Sequence, residues 1–322
     1  MTEPPNYPGW GPPAAAPKPG VIPLRPLGIG EILDGAISYV RANPKVTLGL
    51  AAIVTSLSEL VQAPATVLMA NMQPARSLRE TMAGTLGATM FAVLVSFVVG
   101  TILNGLLISV LARAVLGQRP SMREVWAATR PRLLGLLGVV VLLALAAFGL
   151  VLLAVMPLVG LAALSPPPAV AVPVGVLWAL GAFVALVYLM TRWVMAAPVY
   201  VLEPGTVPGA LVRSARLVRG QWWRVFGIVL LAQLIAVVLS MILSVPFTLA
   251  GMLASGGFSQ AFDGVGVPLP MLLLSTVGTI LATTVTAPFI AGVTGLLYID
   301  QRIRREGLDL ELARMAQARP DE

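Results

Sequence analysis

The side chains able to do chemistry in this 322-residue chain are few, and two kinds are missing altogether: there is no His and no Cys. That removes an imidazole base, a thiolate nucleophile, disulfides and a zinc site of the usual kind. One carboxylate, Glu59, lies deep in an apolar run, and a carboxylate at bilayer depth costs about 2.5 to 3.5 kcal/mol on insertion scales. It should therefore face protein or water rather than lipid. Asn104 and Gln233 fall at a similar depth in two other apolar runs, and Thr283, Thr284 and Thr286 lie near the same level in a third. Glu59, Asn104 and Gln233 make a candidate midplane polar site for a headgroup, an ion or a proton. The plainer alternative is interhelical hydrogen bonding, worth about 0.6 kcal/mol per contact.

A second set is basic. Arg41, Arg130 and Arg219 recur at intervals of 89 residues, as do Gly49, Gly138 and Gly227. A guanidinium binds phosphate bidentately, which makes the three arginines candidate lipid-phosphate contacts. Snorkelling to the headgroup layer is their ordinary structural role. No metal site or cofactor is expected. Gly28 and Gly30 follow a Pro-rich coil without a strand or a third spaced glycine, and there is no Walker lysine.

The elements that must position these residues follow from composition. The chain is 57% hydrophobic and only 11% charged, with a mean hydropathy of +0.90, whereas soluble domains carry about 25% charged residues. Its main solvent is lipid. Runs of about 20 apolar residues match a hydrocarbon core of about 30 Å. Six are expected, at about Lys45 to Met69, Thr85 to Leu116, Leu133 to Leu164, Val170 to Trp193, Trp222 to Leu253 and Leu269 to Ile299. Leu27 to Asn43, Ser121 to Arg132 and Val207 to Gly220 are shorter and amphipathic, and should lie in the interface. The fold expected is thus an all-α integral membrane protein. Its six transmembrane helices form three hairpins, each preceded by an amphipathic interfacial helix, in a threefold internal repeat.

The Pro-rich residues 1–23 should form a disordered cytoplasmic tail without the apolar segment of a signal peptide, 24–306 the membrane domain, and 307–322 a short cytoplasmic tail. With the amino terminus inside, 19 of the 21 basic residues face the cytoplasm and only Arg76 and Arg79 lie outside. An even number of spans with both termini inside a bacterial plasma membrane follows. Trp193, Trp222, Trp223 and Tyr298 then fall at the inner headgroup layer as anchors, and Asp300 with Arg302, Arg304 and Arg305 forms an ion-pair network closing the last span. The net charge of +7 points to anionic lipid headgroups rather than nucleic acid.

Three stretches carry a resemblance: PLRPLGIGEILDGAISYVRANPKVTLGL from Pro23, APVYVLEPGTVPGALVRSARLVRGQWWRVFG from Ala197, and LLYIDQRIRREGLDLEL from Leu296. They resemble actinobacterial polytopic membrane proteins grouped with the glycerophosphoryl diester phosphodiesterase membrane domain, over nearly all of Pro23 to Leu312. The resemblance implies a six-span module. The family's catalytic barrel has no counterpart in the sequence, which runs only about 20 residues past the last span, and no catalytic residue carries over. The function expected is a non-catalytic membrane module that binds or organises envelope lipids, or partner proteins through its tails. The alternatives are a lipid or small-molecule transporter with a midplane polar site, in which Glu59 is a protonatable gate, and an intramembrane enzyme.

Overall fold

The computed structural model describes residues 25–70, 78–118, 120–163, 167–257 and 268–307. Among the described residues there are helices and no strands, and six helices are long and apolar enough to cross a bilayer. Helix α1 (Ile29–Ala42) precedes α2 (Pro44–Ala70) and α3 (Leu78–Val115). Helix α4 (Met122–Thr129) runs through a single 3-10 turn, Arg130–Arg132, into α5 (Leu133–Ala163) and then α6 (Pro168–Trp193). Helices α7 (Ala196–Leu202) and α8 (Val207–Val218) precede α9 (Trp222–Ala254) and α10 (Leu269–Glu306). α2 packs along α3, α5 along α6, and α9 along α10. The first spans of these three pairs begin at Pro44, Leu133 and Trp222, at the same 89-residue interval as the arginines.

The interfacial helices have local reasons to start where they do. Glu31 reaches back to the backbone N–H of Gly28 at 2.7 Å and accepts from Arg25 at 2.6 Å, satisfying one orphan donor of α1. Ser121 and Glu124 form a reciprocal capping box on α4, and Thr206 caps α8 through the N–H of Gly209. α1 ends at Asn43 because Pro44 opens the next helix. α10 ends at Gly307, whose φ of 64° is the left-handed conformation that glycine adopts without steric cost.

The core is built around α10, which is buried without interruption from Ala291 to Gln301. α1 lays Ile32, Gly35, Ala36 and Tyr39 on it, a spacing of three and four that makes one buried face. Gly292 permits this approach: a Cβ there would sit 3.0 Å from both Ala36 and the Tyr39 ring. Gly295 does the same for Leu111 of α3. Further along, Gly251 of α9 meets the Met271 backbone and Gly278 of α10 meets that of Ser244, so these two helices touch main chain to main chain. α6 lies at the opposite extreme. Val172, Leu177, Phe183 and Val184 are all exposed, as expected of a helix facing acyl chains.

Two span boundaries differ from the sequence reading. α3 begins at Leu78 instead of near Thr85, because helix formation continues through polar residues beyond the apolar run. At 1.5 Å per residue it is about 57 Å long, well beyond the hydrocarbon. α10 continues past Ile299 to Glu306, held by i,i+4 pairs of Asp300 with Arg304 and of Arg302 with Glu306. The short helix α7 was not expected as a separate element.

Candidate functional site

One end of the bundle gathers the start of α1, the ends of α3, α6 and α10, and the starts of α5 and α9, with α4, α7 and α8 packed among them. Its centre is Asp300, which is wholly buried. Arg224 from α9 and Arg304 from the next turn of α10 pair with its two oxygens, and the N–H of Leu27 donates to it at 2.8 Å. The same two arginines donate to the Leu27 carbonyl at 2.8 and 2.9 Å. Both polar groups of one peptide residue are thus clamped between the fifth and sixth spans. Burying a carboxylate is costly, and two guanidiniums with a backbone donor offset that cost here. The Asp300 carboxylate is saturated, and this cluster is a fastening rather than a binding site.

A second cluster lies beside it. Glu203, at the end of α7, accepts two hydrogen bonds from Arg213 of α8, at 3.0 and 3.2 Å, and one from the Tyr298 hydroxyl at 2.7 Å. Arg213 also pairs with Glu306 at 2.6 Å, and Arg302 bridges to Glu306 at 3.0 Å. Burial alone would raise the Glu203 carboxyl, but the hydrogen bonds from Arg213 and Tyr298, with the charges of Arg213 and Arg302, hold it below its ordinary value. The hydrogen bond to Glu203, with the neighbouring carboxylate charges, raises Arg213 in turn. Arg132 closes the group by donating to the carbonyls of Tyr200, Val201 and Glu203, which caps α7. That cap comes from far along the chain: an arginine of the 3-10 turn before α5, some 70 residues earlier, satisfies carbonyls at the end of α7.

Between α7 and α8 this cluster leaves a cavity of about 400 Å³, lined by Tyr200, Glu203, Thr206, Gly209, Arg213 and Arg216 among others. Glu203 and Arg213 are committed to each other on its wall. Arg216 is exposed and has no ion pair among the described residues. The cavity has room for a small polar group at the level of the bundle end.

Arg41, Arg130 and Arg219 occupy equivalent places, each at the end of an interfacial helix just before a span begins. All three are exposed, and none makes an ion pair among the described residues. None of the three lines the cavity between α7 and α8. The paired glycines divide: Gly49 lies 3.3 Å, as a built Cβ, from Met122 of α4, and Gly138 lies 3.1 Å from Val207 of α8, while Gly227 meets nothing. Two of the three therefore seat against a short amphipathic helix that lies later in the chain.

The midplane residues make no hydrogen bond to one another. Glu59 is half-buried on α2, and Asn104 on α3 has a buried amide oxygen without a hydrogen-bond partner. Gln233 on α9 is exposed and lines a groove of about 410 Å³ with Ser240, Ser244 and Thr286, to which neither Glu59 nor Asn104 contributes. Of the threonines named with them, Thr286 hydrogen-bonds its own helix at Ala282, and the Thr284 hydroxyl is buried without a partner. Arg76 and the two tails beyond residues 25 and 307 lie outside the described residues.

Sequence reasoning anticipated Asp300 beside Arg304, but not its partners Arg224 and Leu27, nor the role of Glu203 and Arg132. The available signal was the placement of Glu203 and Asp300 at the two ends of apolar runs that their charge interrupts. The family described as a domain of unknown function, DUF7847, matches residues 27–300. No curated protein and no solved structure matches the chain.

Proposed function

The chain belongs to the DUF7847 family, a domain of unknown function, and from that premise we propose a non-catalytic integral membrane module that binds anionic lipid headgroups through its arginine-bearing end. One observation carries this reading: Arg41, Arg130 and Arg219 are exposed and make no ion pair among the described residues, while Arg132, Arg213, Arg224, Arg302 and Arg304 at the same end are all engaged by protein acceptors. A guanidinium at the headgroup layer without a protein carboxylate has lipid phosphate as its natural partner. The reading includes a bacterial plasma membrane with this end, and both termini, on the cytoplasmic side, in keeping with the basic-residue distribution. It also includes three related units, supported by the common interval of Pro44, Leu133 and Trp222 and by the seating of Gly49 and Gly138 against the next interfacial helix. The resemblance to the phosphodiesterase membrane domain enters only as a likeness of the six-span module.

The test is co-sedimentation or thermal stabilisation of the purified chain in nanodiscs of phosphatidylglycerol against phosphatidylcholine. With about 1 kcal/mol per surface arginine, the Arg41→Gln, Arg130→Gln, Arg219→Gln triple variant should lose the preference for phosphatidylglycerol by on the order of 100-fold. Equal behaviour of wild type in the two lipids would overturn the reading.

A second reading, a lipid or small-molecule transporter, is favoured by the unpartnered amide oxygen of Asn104 inside the bundle. It requires Asn104→Leu to abolish flux of a labelled lipid across proteoliposomes while leaving the protein folded.

A further inference from the structure

Gln233 presents a problem that the headgroup reading does not solve. It lies about 16 Å along α9 from Trp222, at 1.5 Å per residue, and so near the middle of a hydrocarbon core about 30 Å thick. Its amide is exposed in the groove between α9 and α10 and makes no hydrogen bond among the described residues. The Ser240 hydroxyl, on the same face of α9 and in the same groove, donates to nothing among them either. An amide facing acyl chains has no acceptor or donor to meet, because lipid carries its polar atoms at the two surfaces and not at this depth.

We propose that this groove is a homodimer interface, in which Gln233 of one copy hydrogen-bonds Gln233 of a second copy. An amide is self-complementary, since it holds donors and an acceptor in one plane. In a twofold dimer whose axis lies along the membrane normal, α9 meets α9 of the other copy in parallel, and Gln233 falls opposite itself at one depth. The spacing of the groove residues on α9 agrees: Gln233, Val237, Ser240 and Ser244 follow steps of four, three and four, the seam of a left-handed crossing of about 20°. The serines are small enough for close approach, and Thr286 and Ile290 of α10 form the second wall. An acyl chain could fill the volume of about 410 Å³ but would leave both amides unsatisfied.

The chain has no cysteine, so Gln233→Cys introduces its sole thiol. Oxidative cross-linking of the full chain in native membranes should give a disulfide-linked dimer about tenfold more readily than Ile242→Cys, which lies about two and a half turns further along α9 and so on its opposite face, since a disulfide needs Cβ atoms about 4 Å apart. Cross-linking through Ser240→Cys should fall about 3- to 20-fold when Gln233 is replaced by Leu and persist when it is replaced by Asn. A Gln233→Cys protein that stays monomeric, or cross-links no better than Ile242→Cys, overturns the interface and leaves lipid in the groove. Unchanged Ser240→Cys cross-linking in the Gln233→Leu background overturns the amide pairing. Neither result touches the lipid preference of the arginines, which is read in a separate assay.

Discussion

At the arginine-bearing end, Glu203, Asp300 and Glu306 each hold two guanidiniums drawn from different turns or different helices. In the middle of the bundle, Glu59, Asn104 and Gln233 stand on three helices with no hydrogen bond between them. The difference follows from reach and solvent. Arginine spans several ångströms and keeps its stem on apolar surface, so helices that end in the headgroup layer can be laced together by their charges. Short amides in hydrocarbon reach only what is directly adjacent, and water supplies nothing there. Polar residues at the end of the bundle therefore organise its fold, while those inside it wait on packing or on a second molecule.

The sharpest way to break that contrast is to unfasten the end. Asp300→Asn removes the charge while keeping the shape, leaving Arg224 and Arg304 facing each other across Leu27. Breaking a buried pair by removing one partner costs about 3–5 kcal/mol, which should appear as a large drop in unfolding temperature in detergent. An unchanged melting curve would mean that the clamp on Leu27 is ornamental.

Next in size is Glu203→Gln. Charged hydrogen bonds of this kind contribute about 1.5–3 kcal/mol, and loss at neutral pH should fall in that range. The sign with pH is determined. Because the folded carboxyl lies below its ordinary value of about 4.3, its stabilisation is complete at neutral pH and is lost as the pH falls through the folded value. The gap between wild type and Glu203→Gln should therefore close on acidification, as followed by thermal unfolding across a pH series. A gap that widens in acid would contradict the pairing.

The smallest effects belong to the midplane. Asn104→Leu removes a buried amide oxygen that has no partner, so stability should hold or rise by about 1 kcal/mol. Glu59→Gln should change it by less than about 1 kcal/mol. A loss as large as that of Asp300→Asn at either position would erase the distinction between the two regions and point to a buried network around them.

Much of the architecture was legible without coordinates. The six spans, their approximate limits and the three short amphipathic helices follow from hydropathy and amphipathic spacing. The candidate site was less legible. Arg41, Arg130 and Arg219 stood out by their interval, yet Glu203 and Arg132, which shape the cavity between α7 and α8, gave no periodic signal. Their partners lie far along the chain, and nothing local distinguishes a guanidinium that caps a helix from one that snorkels.

Taken alone, the amino-acid order determined which segments enter lipid, because the cost of placing a residue in hydrocarbon accumulates residue by residue along each helix. Only the tertiary structure decided that α10 stands at the centre, that α6 faces outward, and that Asp300 binds Leu27 across 273 residues. Those outcomes depend on which helix surfaces meet, on glycines such as Gly292 and Gly295 that let them meet closely, and on charges whose partners chain distance cannot identify.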